Sequence, residues 1–184
     1  METVTDDGKS GPVQWRYNGG QRPDFALPTG PGQESVWDYP RPPEVVPETR
    51  RVEVFADGVR LAHTGRALRV LETASPPTFY IPASDVRRQL LIPETGQSVC
   101  EWKGIASYWS LVMGNVTVRK VAWAYIQPHD AFAAIAGYLA FYPARLECRL
   151  DGERVTPQSG GFYGGWATSG IVGPFKGAPG TEWW

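Results

Sequence analysis

The sequence predicts a mainly β domain. Residues 51–56 alternate, Val52, Val54 and Ala56 against Arg51, Glu53 and Phe55, and end on Asp57-Gly58, a strong hairpin turn signal. A second hairpin is written in the β-rich runs 105–113 and 116–126 on either side of Gly114-Asn115. Three shorter strands are bounded by turn residues: 78–81 after Pro76-Pro77, 138–142 before Pro143, and 147–150 before Asp151-Gly152.

Taken in order, residues 1–33 are rich in Gly, Pro, Asn, Gln and Asp without periodicity and predict a flexible N-terminal arm. Residues 34–158 form the β domain, which opens on an aromatic, proline-punctuated stretch expected to lie extended. The strand at 51–56 returns from about Val59 to Thr64, and the run 67–72 is too short to divide between strand and helical turn. Ser84 predicts a short helix through Leu90, since its hydroxyl can accept an orphan backbone N–H. Asp130 likewise predicts a capped helical turn, Ala131 to Ala136, stopped by Gly137. Residues 159–184 alternate glycine with aromatics and predict a strap packed on the domain, pinned by Phe162, Trp166 and Phe175.

A chain of 184 residues has room for one such domain, and 42% hydrophobic with 20% charged residues is globular composition. A net charge of −1 gives nucleic acid or an anionic membrane nothing to attract. No apolar run approaches the roughly 20 residues that cross a bilayer. The start, METVTDDGKSG, is acidic and polar with no apolar segment behind it, so a cytoplasmic protein is expected. Two cysteines, Cys100 and Cys148, are too few for a disulfide framework or a four-ligand zinc site. Eight tryptophans, eight tyrosines and seven phenylalanines exceed what one core of this size uses. Such flat, amphipathic surface suits a ligand cage, an interface or a packed tail.

Seven segments, in order, carry a resemblance: ESVWDYPRPP (34–43), RALRVLE (66–72), PPTFYIPASDVR (76–87), CEWKGIASYWS (100–110), AWAYIQP (122–128), AIAGYLAFYP (134–143) and GGWATSGIVGPFKGAPGT (164–181). Together they resemble the bacterial and fungal family called domain of unknown function 427, sometimes labelled nucleotidyltransferase-like. No phosphate-cradling loop or metal-binding carboxylate pair accompanies that label in the sequence. The resemblance implies a β-tent, two antiparallel sheets pinned at one edge, which in many proteins is held by zinc on paired Cys-x-x-Cys knuckles. This sequence has no such pairs, so a zinc-free tent held by packing is expected, with no metal and no cofactor. Proteins of that architecture bind small ligands between the sheets, some in a tryptophan cage.

The second hairpin suggests where such a pocket lies. A two-residue turn at Gly114-Asn115 pairs Tyr108 with Val121, Ala106 with Trp123 and Gly104 with Tyr125. One face then holds Tyr108, Trp123 and Tyr125 above the very small Gly104 and Ala106: a concavity for a flat ligand, unless another element's side chain fills the gap. Cys100 and Lys103 lead into that wall and are the catalytic candidates, a thiol whose pKa a nearby ammonium would lower. The alternatives are a small buried hydrophobe for Cys100 and a solvated edge lysine for Lys103. Arg66 and Arg69 suit recognition of a carboxylate or phosphate on the ligand, or else an ion pair with Glu72. His129 beside Asp130 could act as an oriented base, or Asp130 could simply cap a helix. The reading is a small-molecule-binding domain with a small organic ligand. The alternatives are a cofactor-free enzyme acting on an organic metabolite, or an interaction module, possibly a homodimer, docking through Trp37, Trp166, Trp183 and Trp184.

Overall fold

Turn chemistry and alternation set the architecture of the computed structural model, which describes residues 15–181 and 183–184. Asp57 and Gly58 both take positive φ, 46° and 73°, as the tightest hairpin turn requires, and join β3 (Val52–Ala56) to β4 (Val59–Thr64). With β11 (Glu147–Leu150) and β12 (Glu153–Arg154) these make a four-stranded antiparallel sheet in the order β12-β11-β3-β4. The larger sheet takes β2 (Glu44–Glu48), β5 (Ala67–Glu72), β6 (Ser75–Ile81), β7 (Leu91–Cys100), β8 (Gly104–Met113), β9 (Val116–Tyr125) and β10 (Leu139–Phe141). Its seven strands run antiparallel in the order β2-β5-β6-β10-β9-β8-β7. The ambiguous run at 67–72 is therefore a strand.

Period-two alternation divides the large sheet's side chains between its faces. Phe79, Ile81, Leu111, Ala122 and Phe141 pack with Val52, Val54, Leu61 and Cys148 of the small sheet, and this is the main core. Their sequence neighbours Tyr80, Trp123, Ala140 and Tyr142 point the other way and build a second cluster with Phe132 and Ile135 on the outer face. Large rings on both faces are how the chain uses its surplus of aromatics.

The described residues ahead of residue 34 and the C-terminal segment both pack on the domain. Residues 1–14 of the expected arm lie outside the described residues. From Tyr17 onward the segment packs: the Tyr17 and Phe25 rings meet Trp37 edge-on at 5.3 and 5.1 Å, and Phe25 stacks on Trp184 at 5.0 Å. β1 (Glu34–Ser35) pairs in parallel with β15 (Ile171–Val172), and β13 (Thr156–Pro157) pairs with β14 (Trp166–Ala167). Trp166 is fully buried and its indole N–H donates to the Phe141 carbonyl at 3.1 Å. Phe175 joins the cluster around Trp37, whereas Phe162, expected as a third pin, is 67% exposed.

The two short helices resolve as 3-10 turns, Ala83–Asp85 and Arg88–Leu90 for the first and Asp130–Ile135 for the second. Neither Ser84 nor Asp130 acts as an N-cap. The Ser84 hydroxyl donates to Asp85 and accepts from Arg66 instead, so the backbone loses the acceptor that would have started an α-helix. Among the described residues, no helix is long and apolar enough to cross a membrane.

Candidate functional site

The β8–β9 hairpin begins as its turn sequence dictates, with Met113 opposite Val116 and Leu111 opposite Val118. Beyond that the register shifts at a β-bulge. Trp109 then meets Ala122, Tyr108 meets Trp123 and Ala106 meets Tyr125, so the pairs expected from the turn are corrected by two residues. The bulge is held by a side chain: Ser110, fully buried, accepts the Lys120 N–H at 2.9 Å and donates to Glu94. Lys120 itself takes a left-handed φ of 49°. Because a two-residue slip preserves alternation, Ala106, Tyr108, Trp123 and Tyr125 still share one face.

On that face the rings interlock. Tyr142 lies 4.4 Å from Trp123, centroid to centroid, and Tyr80 lies 6.3 Å from Trp123 and 6.4 Å from Tyr125. Burial pushes the hydroxyls of Tyr80, Tyr125 and Tyr142 well above their ordinary range and keeps them neutral. The strap closes over Trp123 at Gly164, where a methyl group would overlap the indole. The gap expected above Gly104 is filled: the His129 ring comes within 3.4 Å of where a side chain at Gly104 would begin. His129 is fixed there by its Nδ1 at 3.0 Å from the Trp102 carbonyl.

Open space lies at the other end of the cluster. A groove of about 300 Å³ is lined by Tyr108 and Tyr142 together with Ser98, Lys120, Arg145 and Phe162. The Tyr108 hydroxyl is 2.6 Å from Ser98 Oγ. The Lys120 ammonium stands 5.2 Å from the Tyr108 ring centre and the Arg145 guanidinium 5.2 Å from that of Tyr142. Arg145 donates to the Arg119 carbonyl at 2.5 Å.

A family model described as a domain of unknown function (DUF427) matches residues 44–155, more than half of the chain. The chain belongs to that family. No curated protein matches it. The match covers both sheets of the DUF427 domain as far as Val155, and the segments 34–43 and 164–181 lie outside it.

Within this DUF427 domain the remaining candidate residues fall in other places. Cys100 pairs with Gly104 and packs on the aromatic cluster, but does not border the groove. Lys103 is buried, not a solvated edge residue, with its ammonium 5.7 Å from the Phe132 ring. Arg66 chelates Asp85 at 2.8 and 3.1 Å, and that guanidinium holds the carboxyl well below the usual range. Arg69 pairs with Phe79 in the ladder, hence on the face opposite Tyr80, and donates to both Glu34 oxygens at 2.9 Å. The ion pair expected with Glu72 falls instead to Arg41, at 3.7 Å. Cys148 is sealed in the main core, where burial pushes its thiol up and leaves it inert as a nucleophile.

Tyr142, Lys120, Arg145 and Ser98 were not singled out from the sequence. Tyr142 could have been: residues 138–142 alternate, and β10 set beside β9 places Ala140 against Trp123. Lys120 and Arg145 carry no such local signal, because a bulge and a turn deliver them.

Proposed function

We propose that this DUF427 domain binds a small organic molecule in the groove lined by Tyr108 and Tyr142. The supporting observation is that Tyr108 and Tyr142, the latter 4.4 Å from Trp123, line a space of about 300 Å³. That size lies at the small end of ligand sites, and aromatic side chains set among Ser98, Lys120 and Arg145 suit a flat molecule with a polar end. In this reading the two sheets are the panels of a β-tent joined by packing. The ligand sits on the outer face of the larger panel, because Phe79, Leu111, Phe141 and Trp166 occupy the space between panels.

Native mass spectrometry of freshly purified protein tests the reading. A bound small molecule should be seen on the wild type and lost when Tyr108 and Tyr142 are both replaced by Ala, with the variant still folded by circular dichroism. A molecule retained by the folded double variant would place the site elsewhere.

A further inference from the structure

Alternation assigns Lys120 to the wrong face for the groove. In an unbroken β9 it would share the face of Val118 and Ala122, both of which pack in the main core. The bulge and the left-handed backbone at Lys120 instead carry its ammonium over the Tyr108 ring on the outer face. A buried hydroxyl, that of Ser110, holds this turn in place through the Lys120 N–H. Bulges of this kind re-aim side chains, and a strained non-glycine residue at a groove points to a use for the side chain it displays.

Arg145 stands across the groove over Tyr142 and has given a donor to the Arg119 carbonyl, with further N–H groups to offer. The carboxylate close to Lys120, Glu94, is already chelated by Arg119 at 2.9 and 2.7 Å. The local excess of charge is therefore positive, in a chain whose net charge is −1.

Resting on the groove as the binding site, we infer that its ligand is a flat anion, an aryl carboxylate. Its ring lies along Tyr108 and Tyr142, and its oxygens are held by Lys120 and Arg145. Two cations beside two aromatic side chains supply both interactions such a molecule needs, apolar contact for the plane and charge-assisted hydrogen bonds for the oxygens.

Calorimetric titration with 1-naphthoate and with its neutral analogue 1-naphthalenemethanol tests this. The wild type should bind naphthoate about tenfold more tightly than the alcohol, a difference typical of one charge-assisted contact. K120Q and R145Q should each remove most of that preference by weakening naphthoate more than the alcohol. Arg145 is exposed, so R145Q keeps the test available should K120Q perturb the bulge. Y108L should weaken both probes. Equal binding of the two probes, both weakened by Y108L, would overturn the anion assignment and leave the groove standing. Binding of neither, or binding indifferent to Y108L, would overturn the groove and the anion assignment together.

Discussion

Ala106 is 2% exposed beside its ladder partner Tyr125, and a larger side chain there meets a packed cluster. Ala106→Leu is therefore expected to overpack the outer face and to cost about 1–3 kcal/mol in urea unfolding. An unchanged midpoint would reveal a void over Ala106 and restore the concavity that Gly104 and Ala106 suggest in sequence. Ser110 is the other residue on which the site turns. Its hydroxyl joins Glu94 to the Lys120 N–H, so Ser110→Ala leaves a backbone donor and a carboxylate short of a partner. A loss of about 1–3 kcal/mol is expected, together with faster hydrogen exchange at the Lys120 amide. Stability and exchange equal to wild type would mean that the bulge holds itself.

At the scale of elements, legibility followed from where the deciding group sits. The Asp57-Gly58 turn was legible because both residues supply the φ the turn demands, and nothing distant competes. The β8–β9 register was legible only as far as Leu111, because Ser110 and Lys120 then form a contact that no alternating pattern encodes. The helix at Ser84 failed for a similar reason: Arg66, 18 residues away, takes the hydroxyl. The strap shows the same limit within one element. Trp166 and Phe162 look equivalent in a glycine-rich run, yet the first is buried in the main core 4.9 Å from Phe79 and the second lies at the rim of the groove. Trp166→Ala should cost about 3–5 kcal/mol and Phe162→Ala less than about 0.5, both measured by chemical denaturation. Similar losses at the two positions would contradict this division of labour.

Across the whole molecule, burial of titratable groups on both faces of the large sheet predicts how stability responds to alkali. Tyr80, Tyr125 and Tyr142 in the outer cluster, Tyr39 under the N-terminal segment and Cys148 in the main core are all pushed up by burial. For such groups the unfolded chain releases its protons first, at about pH 8.5 for the thiol and about 10 for the phenols. The folded state then binds more protons than the unfolded one, and stability must fall as pH rises. The contribution is fully present below the unfolded values and fades above them. A buried group such as Tyr80 approaches a slope of about 1.4 kcal/mol per pH unit once the pH passes its unfolded value. Urea midpoints should therefore hold steady from neutrality to about pH 8.5, decline gently as the thiol begins to titrate in the unfolded chain, and drop steeply past pH 10. Cys148→Ala separates the first phase from the second: its stability should stay level through the gentle decline and then fall with the wild type. A flat profile in the wild type through pH 11 would mean that water reaches the phenols, and that the aromatic cluster behind the groove is looser than its ring distances imply.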